Sequence, residues 1–311
     1  MSLHPSYLHL YDSGELAHRV KAAQAILQSC TLCPRRCGVN RLAGQLGVCR
    51  SGPRPRVASW NRHIWEEPPI SGVRGSGTIF FSGCTGACLF CQNYPISQLG
   101  VGQDFSLEEL AGMMLELQAK GCHNINLVTG TQFVPQVLAA LEIAIPQGFR
   151  LPILYNTSGF EAVETLRLLE DIVDIYLPDA KYADSGIARR LSGFPDYVEA
   201  NRAALQEMLR QVGPDLVLDE NGLAVRGMIV RHLVLPGGLS GSREVARWLA
   251  EHLSPAIHVS IMNQYFPAHK AVGDPVLGRK ATDEEYEEAL DAFVQAGLVN
   301  GWQQDCESAE V

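Results

Sequence analysis

The sequence predicts an α/β protein: an open, parallel sheet of about six strand–helix units, preceded by a small cysteine-rich module. Three observations predict it. Between residues 78 and 296, short apolar runs of strand length alternate with helical patterns, and such alternation argues a parallel sheet with right-handed crossovers. The units number about six, short of the eight that close a barrel. Seven of the nine cysteines fall between positions 30 and 91, ahead of most of those units. With 311 residues, 46% of them hydrophobic and 19% charged, the chain can bury a sizeable core.

The first strand is Thr78-Ile79-Phe80-Phe81, which runs straight into a cysteine loop. A helix over 106–120 opens with the capping box Ser106-x-x-Glu109, carries Leu107, Leu110, Met114 and Leu117 at helical spacing, and stops at Gly121. A buried strand over 124–129 follows, then a helix over about 133–143. The next strand, 151–156, has Pro152 among its first residues, where a missing N–H is tolerated. A helix over 160–169, a strand over 172–177 and a helix over roughly 196–211 continue the pattern. The fifth strand lies within 225–234 and its helix over 243–253. The sixth strand is 257–262, and Thr282-x-x-Glu285 caps a last helix that Gly297 ends. Ahead of these units, Gly52-Pro53-Arg54-Pro55-Arg56 and Glu66-Glu67-Pro68-Pro69 read as linkers. They divide a cysteine-rich extension, 1–66, from the barrel, 67–311. Gly72, Gly75 and Gly77 read as a flexible approach to the first strand rather than a phosphate loop. No internal repeat, low-complexity tract or long charge block interrupts the chain.

Composition removes several function classes. No apolar run reaches the ~18 residues a membrane span needs. The opening Met1-Ser2-Leu3-His4-Pro5 lacks a basic region followed by an apolar one, so no secretory signal and a cytoplasmic location are expected. A net charge of −9 argues against a dedicated nucleic-acid binder. An odd cysteine count without an export signal argues against a disulfide framework and for metal or redox chemistry. Cys122 reads as a small buried hydrophobe and Cys306 as a free thiol in the tail.

The run Cys84-Thr85-Gly86-Ala87-Cys88-Leu89-Phe90-Cys91 is a C-x3-C-x2-C pattern. Three thiolates so close can wrap one face of a [4Fe–4S] cube, which usually takes four protein ligands. With no fourth cysteine nearby, one iron is left for a substrate or cofactor. Gly83 and Gly86 give the loop the freedom to fold around it. Structural zinc sites pair C-x2-C knuckles into four ligands, and this run does not split that way. The earlier set, Cys30-x2-Cys33-x3-Cys37-x11-Cys49, offers four thiolates in a loop punctuated by Pro34, Gly38, Gly44 and Gly47. Such a segment rarely holds together without a staple. Its four sulfurs suit either a closed zinc site or a second, fully ligated iron–sulfur cluster, and the alternative is four reduced thiols packed in a small loop module.

The pattern C-x3-C-x-aromatic-C, with Phe90 in the aromatic slot, resembles the signature of the radical S-adenosylmethionine (SAM) superfamily. The longer phrase from Ser82-Gly83-Cys84 to Cys91-Gln92-Asn93 is similar to enzymes that activate pyruvate formate-lyase. A mostly uncharacterised branch of activating-enzyme-like proteins resembles nearly the whole chain, from Cys33-Pro34-Arg35 to Asn263-Gln264-Tyr265. The resemblance implies an open (β/α)6 partial TIM barrel, with SAM lying across the C-terminal ends of the strands and chelating the open iron.

Residue by residue, the resemblance assigns further places. Thr129-Gly130-Thr131-Gln132 stands where many members carry a Gly-Gly-Glu-like stretch that receives the SAM amine. It has no carboxylate, so hydroxyls or backbone carbonyls make that contact or the contact is missing. Asn156 and Ser158 match a place near the SAM ribose and methionyl group; a helix N-cap is the other reading of Ser158. Asp179-Ala180-Lys181 is similar to the Asp-x-Lys that ends the fourth strand of activating enzymes. It could hold substrate, orient SAM or coordinate a cation, or be a structural pair. Arg231, in a stretch similar to the Arg-x-x-Val-Pro-Gly of activators, suits the SAM carboxylate. His232 is either a polar contact or a satisfied structural histidine. Asn263-Gln264-Tyr265 could line adenine or substrate, and Trp60, His63 and Trp65 either cover the barrel's open side or form a surface aromatic patch.

The implied activity is that of an oxidoreductase that cleaves SAM reductively to a 5′-deoxyadenosyl radical for hydrogen abstraction. The expected partners are SAM, a reductant such as flavodoxin or ferredoxin, and a glycyl radical enzyme to be activated, with neither nucleic acid nor membrane among them. The hydrogen donor is equally open to a small molecule or another peptide. From other classes, a non-catalytic iron–sulfur electron carrier and a zinc-binding interaction protein remain alternatives.

Overall fold

The structure is a computed structural model, and it describes residues 5–304. Cys306 lies outside the described residues.

Ten strands are present among them: β1 (Arg56–His63), β2 (Ser76–Phe81), β3 (Gln103–Asp104), β4 (Ile125–Val128), β5 (Ile153–Thr157), β6 (Ile175–Pro178), β7 (Val217–Leu218), β8 (Ala224–Leu233), β9 (His258–Met262) and β10 (Gly301–Gln303). The six expected strands are β2, β4, β5, β6, β8 and β9, and each pairs in parallel with the next. The fold is the open partial barrel that the strand–helix count predicts. Every residue of β5 and β6 is buried, as in a parallel sheet covered on both faces. Their apolar runs are continuous for that reason rather than alternating.

The helices follow their capping chemistry. Ser106 Oγ accepts from the Glu109 amide at 3.1 Å, and Glu109 Oε2 accepts from the Ser106 amide at 2.6 Å. This reciprocal box starts the helix Leu107–Ala119, which buries Leu110, Met113, Met114 and Leu117 against the sheet. Thr282 and Glu285 repeat the device ahead of Asp283–Gln295. The helix after β5 is shorter than expected, Val163–Leu168. Phe160 and Glu161 are spent elsewhere: Phe160 is fully buried, and Glu161 bonds the loops beside β4 and β5. Ser158 caps no helix, since this one begins behind Ala162. Cys122 is buried in the main core, as expected.

Structure also extends beyond the six units. β1 lies antiparallel to β2, β3 antiparallel to β1, and β10 parallel to β9, so both edges of the sheet carry extra strands. The two stretches read as linkers are ordered. Arg56 opens β1, and Glu66 and Glu67 lead into a short helix, Pro68–Ser71. The helix Glu15–Ile26 packs on Val134–Ala144. Tyr7 stacks on Phe149 at 5.9 Å and donates to the Leu151 carbonyl at 2.9 Å, which covers the N-terminal end of β5.

The loop after β2 is tightly packed. Gly83 has φ +82°, and a Cβ there would lie 2.4 Å from the Cys49 carbonyl oxygen. At Gly86 a Cβ would lie 2.5 Å from the Phe194 ring. Gly83→Ala is therefore expected to cost about 1–3 kcal/mol through backbone strain. A urea midpoint that does not move would contradict this packing.

Candidate active site

The C-terminal ends of the barrel strands open into a cavity of about 660 Å³. This is where parallel barrels place their chemistry. Cys84, Cys88 and Cys91 form one wall, and no other cysteine among the described residues lines the cavity. Across from strand to strand, Asn156 is the penultimate residue of β5, Asp179 and Lys181 follow β6, and Arg231 stands late in β8.

These side chains form a connected charge network. Lys181 Nζ lies 2.5 Å from Asp179 Oδ2, and Arg231 Nε lies 3.3 Å from Asp179 Oδ1. Arg231 also donates to Asn156 Oδ1 at 2.6 Å and reaches Glu66 Oε2 at 3.4 Å. Glu66 Oε1 in turn accepts from Asn126 Nδ2 at 2.9 Å. Burial alone would raise the Asp179 carboxyl, but Lys181 and then Arg231 hold it below the usual carboxylate range. Burial would lower Lys181, yet Asp179 keeps it above its ordinary value. Beside them Glu67 is pushed up by burial, against the pull of Arg231. Its Oε2 has no hydrogen-bond partner among the described residues.

The three thiols suit an iron–sulfur cube. Burial, then the neighbouring Cys88, pushes the Cys84 thiol up to about 12; coordination reverses this, because a metal-bound thiol is deprotonated outright. Cys84 Sγ accepts from the Gly86 amide at 3.3 Å, and Cys91 Sγ lies 3.2 Å from Ser97 Oγ. Among the described residues no three His, Cys, Asp or Glu side chains gather closely enough for a single metal ion. A cube instead takes its thiolates on separate irons. Three sulfurs sharing a polar cavity wall fit that larger body.

The other expected site residues divide. Thr129 and Ser158 line the cavity, but Gly130 does not. Thr129 has φ +56°, uncommon for a β-branched residue, and is held there by Gln132. The Gln132 amide donates to the Thr129 carbonyl at 2.8 Å and to the Gly83 carbonyl at 3.1 Å, tying this loop to the cysteine loop. Phe90 turns into an apolar cluster, edge-on to Tyr265 with ring centroids 5.5 Å apart, and does not line the cavity. Gln264 lines the cavity, while the Tyr265 hydroxyl donates to the Leu277 carbonyl at 2.7 Å. His63 and Trp65 line it too, whereas Trp60 donates to Glu116 on the outer helix at 2.9 Å. His232 is a satisfied core histidine between the Ala180 carbonyl, 2.7 Å, and Ser242 Oγ, 2.9 Å, and burial lowers it to about 4. Sequence reasoning missed Glu66, Glu67, Ser97 and Ser260, all in the lining. The adjacent acidic pair was the one available signal, and Pro68-Pro69 disguised it as a linker.

Glu161 supports the site from behind. Its Oε1 accepts from Thr131 Oγ1 at 2.6 Å and from the Thr157 hydroxyl, and its Oε2 accepts from the Tyr155 hydroxyl at 3.2 Å. Burial raises it to about 7, although the hydroxyls pull the other way. The folded state thus holds a proton that the unfolded carboxyl, near 4.3, releases earlier. Wild-type stability should fall as pH rises from about 4.3 to 7, by about 3 kcal/mol from this group. Glu161→Gln should flatten that slope in urea melts at pH 5 and pH 8; an unchanged slope would sink the assignment.

The first cysteine set sits beside the loop after β2. Burial pushes the Cys33 thiol up to about 12, and Cys49 and Cys30 are close enough to add to the shift. Cys37 and Cys49 act on Cys30 in the same way, after burial. A tetrahedral zinc site, with sulfurs about 2.3 Å from one ion, is not assembled among the described residues. Arg41, fully buried, ties this module to the barrel by donating to the Gln132 carbonyl at 2.6 Å and the Gly52 carbonyl at 3.1 Å.

Fold and site together define an α/β partial-barrel protein with a three-cysteine loop at the catalytic end of its sheet. Residues 78–222, a little under half of the chain, match the family model described as the radical SAM superfamily. An uncharacterised protein of Methanocaldococcus jannaschii is 29% identical over 283 residues, spanning 88% of this chain and 76% of that protein. Among solved structures, the FeFe-hydrogenase maturase HydG from Carboxydothermus hydrogenoformans is similar with a TM-score of 0.50 and 13% identity. That likeness covers 73% of this chain and 53% of the other, so the chain spans about half the length of that structure. At this identity it supports the fold alone.

Proposed function

We propose that Cys84, Cys88 and Cys91 hold a [4Fe–4S] cluster with one iron open to SAM. The observation that carries this reading is the three-cysteine wall, with no fourth cysteine among the described residues, on the cavity that Asn156, Asp179, Lys181 and Arg231 also line. When bound and reduced, the cluster supplies the one electron that splits SAM into methionine and a 5′-deoxyadenosyl radical. Arg231, whose guanidinium already bonds Asn156 and Asp179, presents cationic charge to a carboxylate such as that of SAM. Lys181 and Asp179 fix each other's protonation, so the cavity keeps one buried cation–anion pair at neutral pH. Asn156, Ser158 and the strained Thr129 present polar groups from two adjacent strand ends, suited to the ribose and methionyl amine. Phe90 packs behind the cysteine loop and steadies it.

We read the hydrogen donor as a backbone glycine of a partner protein, supported by the likeness of the Cys84–Asn93, Asp179–Lys181 and Arg231–Gly237 stretches to activating enzymes. The test is turnover with a candidate glycyl radical enzyme under anaerobic conditions, followed by EPR. A stable glycyl doublet on the partner is expected; 5′-deoxyadenosine without that doublet points to a small-molecule or peptide donor.

We read Cys30, Cys33, Cys37 and Cys49 as an auxiliary metal site, supported by their mutual electrostatic influence. Metal analysis of Cys33→Ala/Cys37→Ala should show less bound iron or zinc per chain than wild type, with cleavage of SAM by a chemical reductant retained. Equal metal content in the two proteins would remove this site.

A further inference from the structure

One acidic side chain of the polar cavity is left without a counterpart. Residues 66–71 run across the inside of the barrel and floor that cavity. Glu66 bonds Asn126 of β4 and Arg231 of β8, the Ile70 carbonyl accepts from Asn124 Nδ2 at 3.0 Å, and Ile70 packs with Leu154, Leu177 and Ile229. Glu67 is thereby held in a fixed place on the lining. It is 9% exposed, and its Oε2 has no hydrogen-bond partner among the described residues. The other charges of the lining are matched: Asp179 takes Lys181 and Arg231, and Glu66 takes Arg231. Arg231 pulls on Glu67 from nearby and Ser260 favours its ionised form, but neither bonds Oε2. Three carboxyls, those of Glu66, Glu67 and Asp179, therefore face two permanent cations, Lys181 and Arg231. A carboxylate out of water without a partner is costly, and an incoming cation removes that cost.

The surroundings suit a cation on a peptide. Trp65, 81% exposed, follows β1, and Trp302 lies in β10, so the extra strands at the two edges of the sheet each bring an indole to the cavity. Aromatic faces attract cations, and an ammonium gains from a ring and a carboxylate together. Carboxamides line the more exposed side. Gln92 Nε2 donates to the Gln264 carbonyl at 2.9 Å, and Gln304 Nε2 donates to Gln264 Oε1 at 3.3 Å. Such groups offer both donors and acceptors, as a peptide backbone requires. The net charge of −9 favours the approach of a cationic partner.

We propose that Glu67 receives the lysine or arginine side chain of a peptide substrate, with Trp65 and Trp302 flanking the cation. The proposal rests on the reading of this cavity as the SAM site and narrows the hydrogen donor to a chain whose reactive residue has a cationic neighbour. Glu67 is a specificity residue and takes no part in bond breaking.

The test is equilibrium dialysis of the anaerobic, cluster-loaded protein with SAM and without reductant. Its labelled probes are acetyl-Gly-Lys-Gly-amide, acetyl-Gly-Arg-Gly-amide and the uncharged acetyl-Gly-norleucine-Gly-amide. At least one cationic peptide should bind about tenfold more tightly than the norleucine peptide. Glu67→Gln keeps the shape, removes the charge and should erase that preference. Trp65→Leu, at an exposed position, should reduce it about two- to fivefold. Equal binding of cationic and neutral peptides by wild type overturns the proposal. So does a preference that Glu67→Gln retains while it loses affinity for SAM, since Glu67 then serves the sulfonium. Binding of alaninamide, a free small amine, in place of both cationic peptides overturns the peptide donor. A protein that makes no 5′-deoxyadenosine with dithionite contradicts the cluster reading instead, and that result is read in a separate assay.

Discussion

Anaerobically reconstituted Cys88→Ala is expected to form 5′-deoxyadenosine no faster than a protein-free control. Cys84→Ala and Cys91→Ala should behave alike, because in the proposed cluster each sulfur would anchor a different iron, and a cube held at two corners would not present its open iron to SAM. Cys122→Ala is the matched control. That thiol is buried in the main core, remote from the cavity lining, and its replacement should cost some stability and no chemistry. Chromatographic quantitation of 5′-deoxyadenosine after dithionite reduction reads all four variants. Product in all three loop variants would mean that the loop does not carry the reaction.

Arg231→Met should produce the largest loss of stability among the cavity variants. The guanidinium bridges Glu66, Asp179 and Asn156, all but Asn156 as partners of opposite charge, and all three side chains lie largely out of water. Removing one member of a buried ion pair costs about 3–5 kcal/mol, chiefly because the remaining charge is left uncompensated. Arg231→Lys should lose less, since it restores the charge without the forked geometry. The effect has a pH sign. Asp179 is held below its ordinary value, so the stability it contributes is present above the unfolded carboxyl value near 3.9 and is lost as pH falls through the folded one. The gap between wild type and Arg231→Met is therefore full at pH 7 and narrows below about pH 4. Guanidinium midpoints across that range check it; a midpoint at pH 7 equal to wild type would mean the network carries no such weight.

The barrel was legible because its strands are buried on both faces. Apolar runs such as Ile153–Thr157 and Ile175–Pro178 stand out between helices whose starts are written in the boxes at Ser106 and Thr282. The cysteine loop was legible from spacing alone. β1 was not, because Arg56–His63 mixes polar and apolar residues behind a proline-rich stretch, and its pairing with β2 is a long-range fact. β10 is three residues long, too short for a period. Loop residues carry no periodicity either, so Phe90 could be identified but not aimed, and it points into apolar packing. Glu66 and Glu67 show the same limit: the acidic pair is visible, while its reach to Asn126 and Arg231 is set by where the preceding strand ends.

The proposed open iron position is tested most directly by EPR of the reduced, oxygen-free protein with SAM carrying 15N or 17O in its methionyl group. The account predicts a [4Fe–4S]+ signal that changes on adding SAM and shows hyperfine coupling to the labelled amine and carboxylate. A cluster spectrum that SAM leaves unaltered, with a fourth protein side chain on the cube, or no iron bound by Cys84, Cys88 and Cys91, would contradict it.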